Sequence, residues 1–110
     1  LDEISPYAKT NVIQLKNGEI SEIIIDPQLL NIKAEKFDNL VGDDASYNAS
    51  KMIEIFKGKD NDFSKAVCLN AAAGLIVNEK YSEFSKAYNY AREFILSGKP
   101  YFHLEKIQNA

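Results

Sequence analysis

The stretch Ala66-Val-Cys-Leu-Asn-Ala-Ala-Ala-Gly-Leu-Ile-Val77 lies in the longest run of this sequence without a charged residue. A surface helix normally keeps one polar face, but a helix made of this stretch carries apolar or small residues on every side. The run is also too short to cross a bilayer. It therefore predicts a buried central helix, spanning residues 63 to about 78, that other elements of the fold cover from all sides.

The segments before this helix predict a β-hairpin. Residues 11–15 and 20–25 are rich in Ile and Val, and Asn17-Gly18 between them accepts the positive φ values of a type I′ turn. Because Ile23-Ile24-Ile25 breaks the polar alternation, we expect the second strand to be covered on both faces. Residues 1–10 are predicted to form a loop, since Ser5-Pro6 favours extended or turn backbone.

Helix signals follow the hairpin. Asp26 is predicted to cap a helical turn that begins at Pro27, and residues 31–41 to form a connecting loop. Gly42-Asp43-Asp44 supplies the cap of a helix that ends at Gly58. The face of this helix predicted to be buried consists of Ala45, Ala49, Met52, Ile53 and Phe56.

Asp60-Asn61-Asp62 is predicted to cap the central helix, and close helix packing is expected to offset the low helix propensity of Gly74. Ser82 is predicted to cap the next helix, which ends at Ser97-Gly98, and Pro100 to begin the last one. The residues expected to face the core are Phe84, Ala87, Tyr88, Ala91, Phe94 and Ile95 in the first of these helices, and Phe102, Leu104 and Ile107 in the second.

Together these elements predict an α+β fold for residues 1–110, as a single domain or sub-domain in which a β-hairpin packs with about four helices around the buried central helix. The formal net charge is −3, and Lys and Arg are scattered among acids, so nucleic acid is not an expected partner. Without a signal peptide or a long apolar span, the expected location is cytoplasmic, with no membrane partner. Cys68 has no disulfide partner and is interpreted as a buried structural thiol.

Few residues suggest chemistry. Asp60-x-Asp62-x-Ser64 resembles the start of a calcium loop, but Lys65 and Ala71 replace its required Gly and Glu, so helix capping is preferred. His103 is the only histidine and is interpreted as a polar residue on a terminal helix. Asn70 is expected to satisfy nearby backbone groups in the core, although a functional role stays open. No glycine-rich phosphate-binding loop occurs in the chain.

The adjacent acids Asp2 and Glu3 form the remaining candidate site. Two hard oxygen ligands on a loop suit Mg²⁺, which binds one or two carboxylates and completes its shell with water and phosphate oxygens. A surface Asp-Glu pair is more often simply solvated, so the residues alone favour no metal.

Five segments, in order along the chain, resemble the C-terminal region of the anthranilate phosphoribosyltransferase family. Their agreement in register over most of the chain makes the resemblance more specific than any one motif. They are Leu1-Asp2-Glu3-Ile4-Ser5-Pro6, Thr10-Asn11-Val12, Ile25-Asp26-Pro27, Gly42-Asp43-Asp44-Ala45 with Asn48-Ala49, and Leu69-Asn70-Ala71-Ala72-Ala73. The chain departs from the family pattern at Tyr7-Ala8-Lys9, which replaces a glycine-containing turn, and at Asp43, which replaces a common second glycine.

The resemblance implies that the chain is part of a larger α/β phosphoribosyltransferase domain in which Asp2 and Glu3 bind Mg²⁺. It also implies that phosphoribosyl pyrophosphate and anthranilate bind through residues upstream of Leu1, and that a homodimer forms through an N-terminal helical domain outside this chain. The 110 residues alone are then expected to be inactive. The alternatives are a nucleic-acid-binding homologue of the same fold and a pyrimidine nucleoside phosphorylase relative.

Overall fold

The computed structural model describes all 110 residues, Leu1–Ala110, and has the α+β architecture that the sequence predicts. A two-stranded antiparallel sheet precedes a short 3₁₀ helix and four α-helices. The strands are β1 (Thr10–Lys16) and β2 (Glu19–Ile25), the 3₁₀ helix is Phe37–Leu40, and the α-helices are α1 (Ala45–Phe56), α2 (Asp62–Val77), α3 (Phe84–Leu96) and α4 (Lys99–Gln108).

The hairpin forms in the predicted place. Thr10 pairs with Ile25 and Lys16 with Glu19, and the turn residues Asn17 and Gly18 have φ values of 52° and 77°. Positive φ at both central positions is the signature of the type I′ turn, whose twist matches that of the strands it joins.

The expectation that β2 is covered on both faces is wrong. Ile25 is buried, but Ile23 and Ile24 are 40% and 63% exposed. The physical reason is that successive side chains of a strand point to opposite faces, while the helices of this chain pack mainly on one another rather than over the hairpin.

Helix α2 begins at the predicted cap and is buried on one side only. The Asn61 side chain accepts from the Ser64 N–H at 2.9 Å, and the Ser64 hydroxyl accepts from the Asn61 N–H at 2.9 Å, which forms a capping box. Leu69 and Ala72 are fully buried. The prediction of a helix covered from all sides is wrong, because α3 packs against one face and leaves a stripe of small apolar residues exposed on the other: Val67, Ala71 and Gly74.

The core lies between α2 and α3. Its α3 side consists of Ala87, Tyr88, Ala91 and Ile95, which confirms most of the predicted apolar face, although Phe94 is 43% exposed. The N-cap of α3 is Glu83 rather than the predicted Ser82, and it makes no capping hydrogen bond through its side chain. Ser82 lies one residue too early in the chain for that role.

Helix α1 begins at the predicted cap, where the Asp44 carboxylate accepts from the Tyr47 N–H at 2.8 Å. Its predicted buried face is wrong in part, because Ala45, Ala49 and Met52 are exposed while Ile55 is the residue that is buried. Only the C-terminal turns of α1 reach the core, so a periodic apolar pattern along the whole helix did not identify the residues that pack.

Helix α4 has Pro100 in its first turn, as predicted, but it docks in a different register. Phe102 and Ile107 are more than 60% exposed, at 64% and 62%, whereas Leu104 is half-buried as expected. Tyr101 also faces inward, and the Lys57 ammonium lies 4.6 Å from the centre of its ring. The shallow contact between α4 and its neighbours buries a narrow stripe that begins at Pro100, two residues before Phe102.

The segments that connect the elements follow local chemistry. The Asp26 carboxylate accepts from the Gln28 N–H at 3.0 Å and caps the turn that begins at Pro27. Residues 31–41, predicted as a loop throughout, contain the 3₁₀ helix Phe37–Leu40.

Substitution of Gly58 by Ala is expected to destabilise the chain by about 2 kcal/mol, because φ is +100° and an added Cβ would lie 2.7 Å from the Leu96 carbonyl oxygen. Gly74→Ala is the matched control. The close helix packing expected at Gly74 is wrong, since the residue is exposed and no atom lies within 4 Å of an added Cβ, so alanine gains up to about 1 kcal/mol of helix propensity. Urea unfolding of the two variants measures both effects. Equal stability of the two variants would contradict the contact between the α1 and α3 ends.

Candidate active-site loop

The two adjacent acids to which the family resemblance assigns a metal lie on the loop that precedes β1. Asp2 and Glu3 are both exposed, and neither takes part in any of the ion pairs of the structure. No group of three or more His, Cys, Asp or Glu side chains in the chain is arranged to hold a metal ion. The pair therefore offers carboxylate oxygens without a competing internal cation, which suits a metal that takes its other ligands from water and phosphate.

Asn70 of α2 holds the residue that follows this pair. Its Oδ1 accepts from the Ile4 N–H at 3.1 Å, and its Nδ2 donates to the Ile4 carbonyl oxygen at 3.2 Å. The same Nδ2 donates to the Ala66 carbonyl oxygen, one helical turn earlier, at 2.9 Å. The expectation that Asn70 satisfies backbone groups is confirmed, and the groups it satisfies belong mainly to the loop of Asp2 and Glu3.

Further hydrogen bonds fix the rest of the loop. The Ser5 N–H donates to the Thr10 hydroxyl at 3.2 Å, which joins the loop to the start of β1. The Ser5 hydroxyl accepts from the backbone N–H groups of Tyr7 and Ala8 at 3.1 and 3.3 Å, and the Pro6 side chain is fully buried. Only the first three residues of the chain thus extend beyond the anchored part of the loop.

A second anchor is the carboxylate of Asp62, which is 4% exposed at the start of α2. Its Oδ2 accepts from the Tyr7 hydroxyl at 2.8 Å, the Glu35 N–H at 2.9 Å and the Asn39 Nδ2 at 3.0 Å, while its Oδ1 lies 3.1 Å from the Lys65 ammonium. The carboxylate therefore ties three segments to one helix terminus: the first loop, the segment before the 3₁₀ helix and the 3₁₀ helix itself.

The charges around Asp62 are set by these contacts. Burial favours the protonated acid, but the hydrogen bonds from Asn39, the Glu35 N–H, Tyr7 and Lys65 outweigh it and hold the pKa of Asp62 well below its ordinary value of 3.8. Burial and the hydrogen bond to Asp62 raise the pKa of the Tyr7 hydroxyl above its ordinary value. Asp62 is thus a buried anion and Tyr7 a neutral donor.

The sequence pattern does not reveal this network. It indicates a helix cap at Asp62 and, at Tyr7, a departure from the family pattern in a loop. The tyrosine hydroxyl instead reaches Asp62 and also lies against the Lys36 carbonyl oxygen. No sequence signal joins residues so far apart, although a bulky Tyr after Ser-Pro, where the family has a glycine turn, indicated that the local environment differs.

The other candidates have structural roles. Cys68 is 2% exposed, and burial raises the pKa of its thiol to about 11, which confirms a structural thiol. His103 lies exposed on α4, as expected. Asp60 pairs with Arg92 at 2.6 Å, so the rejected calcium-loop residues Asp60 and Asp62 are both occupied by protein donors.

No helix of the structure has the length and apolar character needed to span a membrane.

The chain thus combines an α+β architecture with an exposed pair of adjacent acids on a loop that is hydrogen-bonded to α2. The profile of the glycosyl transferase family, a/b domain, matches residues 1–101. The chain therefore belongs to this family.

Similar proteins within this family indicate which kind of glycosyl transferase the chain resembles. The anthranilate phosphoribosyltransferase of Pelagibacter ubique is 72% identical over 109 residues, which cover 99% of this chain and 33% of the relative. That of Clostridium kluyveri is 35% identical over 109 residues, with 99% and 32% covered. The crystal structure of anthranilate phosphoribosyltransferase from Thermus thermophilus superimposes with a TM-score of 0.80 at 25% identity, covering 90% of this chain and 30% of that one. The chain spans about a third of the length of the curated relatives it matches.

Proposed function

We propose that this chain forms the C-terminal part of an anthranilate phosphoribosyltransferase, which transfers the phosphoribosyl group of phosphoribosyl pyrophosphate to anthranilate in tryptophan biosynthesis. The observation that carries the proposal is the 72% identity to a relative of that name over 99% of the chain. The relatives described above support this function over the nucleic-acid-binding and nucleoside phosphorylase alternatives. The term full-length protein stands for the proposed phosphoribosyltransferase that has the length of the curated relatives and includes this chain.

In this proposal, Asp2 and Glu3 hold Mg²⁺ against the pyrophosphate of the substrate. The cation, when bound, supplies positive charge where negative charge develops as pyrophosphate leaves the ribose C1. The two carboxylates would bind and orient it, and hydrogen bonds at Ile4 and Ser5 anchor the residues that follow them. The exposure of both acids and their lack of internal ion pairs support this role.

The chain has no glycine-rich phosphate-binding loop, so we propose that both substrates bind through residues outside it. We further propose that the full-length protein forms a homodimer through a helical domain outside these residues. Its proposed location is the cytoplasm. Nucleic acid is not a proposed partner, since the net charge is −3.

The test is a fluorescence assay of anthranilate consumption with phosphoribosyl pyrophosphate and Mg²⁺. We expect turnover by the full-length protein and none by residues 1–110 alone, because the isolated chain lacks a phosphate-binding loop. Formation of phosphoribosylanthranilate by the 110-residue chain would show that the upstream residues are not needed.

Two outcomes with the full-length protein would contradict the proposal itself. One is salt-dependent binding of single-stranded DNA without consumption of anthranilate, which would favour the nucleic-acid-binding alternative. The other is phosphorolysis of a pyrimidine nucleoside without phosphoribosyl transfer, which would favour the phosphorylase alternative.

A further inference from the structure

We propose that Asn70 is a positioning residue for the metal site of Asp2 and Glu3, an inference that rests on the proposed function. Asn70 makes two hydrogen bonds to Ile4, one to its N–H and one to its carbonyl oxygen. The Ile4 N–H belongs to the peptide unit that also contains the Glu3 carbonyl group. Because peptide units are planar and rigid, fixing this one fixes the Cα atom of Glu3, and Asp2 follows one residue away.

Asn70 is itself rigidly placed. Its Nδ2 also donates to the Ala66 carbonyl oxygen at 2.9 Å, and the neighbouring Leu69 is fully buried against the core. The amide thus cannot change its direction without losing a hydrogen bond inside its own helix. A fixed orientation of this kind is what a group needs if it is to hold metal ligands at the correct separation.

The contact of Asn70 with Ile4 also explains a polar residue in an apolar segment. Alanine has a higher helix propensity than asparagine, and α2 already contains Ala71, Ala72 and Ala73 in sequence after this position. Considered alone, α2 would therefore be more stable with alanine at position 70. The gain from asparagine is its pair of hydrogen bonds to the loop, across a separation of 66 residues in the chain.

The chain contains a matched control for the pair of hydrogen bonds from Asn70 to Ile4, which we call a clamp. Asn48 of α1 accepts from the Asp43 N–H at 3.0 Å and donates to the Asp43 carbonyl oxygen at 3.0 Å, so it holds one residue by the same two hydrogen bonds. Asn48→Ala therefore removes an equivalent clamp from another loop. Asp2→Asn with Glu3→Gln is the second control, since it removes the metal ligands themselves.

The experiment measures the dissociation constant of Mn²⁺ by electron paramagnetic resonance in the full-length protein with inorganic pyrophosphate present. We expect Asn70→Ala to raise this constant about tenfold, the usual effect of losing a group that orients a metal ligand, and Asn48→Ala to leave it unchanged. Hydrogen exchange in the metal-free protein gives an independent reading: the Ile4 amide should lose protection in Asn70→Ala and keep it in Asn48→Ala.

The possible results separate the two proposals. If Asp2→Asn with Glu3→Gln weakens Mn²⁺ binding while Asn70→Ala binds it as the unmodified protein does, the positioning role is wrong and the metal site stands. If the double variant binds Mn²⁺ normally, the proposed metal site is wrong and the role of Asn70 falls with it.

Asn70→Asp serves if Asn70→Ala does not fold. It keeps the side-chain volume and one acceptor for the Ile4 N–H but places a carboxylate oxygen against the Ile4 and Ala66 carbonyl groups. Because an added negative charge by itself favours a cation, a raised Mn²⁺ dissociation constant in this variant reports lost positioning. An unchanged or lowered constant would overturn the proposal.

Discussion

Replacement of Asp2 by Asn together with Glu3 by Gln is expected to lower the kcat of the full-length protein about 100-fold or more, because in the proposed function the charge that develops on the leaving pyrophosphate would then lack its counter-ion. Both side chains are exposed and outside the core, so the fold should be unaffected. The measurement is steady-state turnover of phosphoribosyl pyrophosphate and anthranilate over a range of Mg²⁺ concentrations, with circular dichroism as the check on folding.

The hairpin offers a control for the charge change. Glu19 and Glu22 are exposed and lie outside any ion pair of the structure, so Glu19→Gln with Glu22→Gln also removes two negative charges. This control is expected to keep its rate and its Mg²⁺ dependence. An unchanged rate and Mg²⁺ dependence in the Asp2 and Glu3 variant would remove these acids from the proposed mechanism.

Replacement of Asp62 by Asn is expected to destabilise the 110-residue chain by about 3 kcal/mol, the usual cost of removing one partner from a buried ion pair. The asparagine side chain has the same size, but its NH2 group would take the place of one carboxylate oxygen and face another hydrogen-bond donor. The Lys65 ammonium would also lose its counter-ion. Urea unfolding measures the loss. A cost below about 1 kcal/mol would place Asp62 among ordinary surface ion pairs.

The matched control is Asp60→Asn, two residues earlier. Asp60 pairs with Arg92 at 2.6 Å, but the two side chains are 44% and 41% exposed, so the pair is screened by water. Its loss should cost less than about 1 kcal/mol. The contrast between neighbouring aspartates separates burial from charge.

The lowered pKa of Asp62 also predicts how the free energy of unfolding changes at acid pH. The pKa of Asp62 is lowered on folding, so its contribution is fully present above the ordinary value of 3.8 and is lost progressively as the pH falls below it. The unmodified chain should therefore lose more stability than Asp62→Asn between about pH 5 and pH 2. Parallel pH profiles of the two proteins would contradict the assigned pKa direction.

Some of the fold was predictable because its causes are local. The type I′ turn at Asn17-Gly18, the caps at Asp44 and Asn61 and the helix end at Gly58 each depend on residues within four positions of one another. The buried face of α3 was also predictable for the most part, since α3 packs mainly against one neighbouring helix, α2.

Other features were not predictable because they depend on what packs where. The exposure of Ile23 and Ile24, and of Met52 on α1, follows from the positions of neighbouring helices. An apolar pattern shows that a face is able to be buried, but a separate element must lie against it, and the sequence pattern does not say which element does so.

The candidate site divides in the same way. The sequence by itself determined the type and order of the elements, because turns and caps involve only nearby parts of the chain, while Asp2 and Glu3 became the candidate metal site only through the family resemblance. The tertiary structure alone decided what anchors the loop that follows those acids. Asn70 reaches Ile4 across 66 residues and Asp62 reaches Tyr7 across 55, and such hydrogen bonds exist only after packing brings α2 against the first loop.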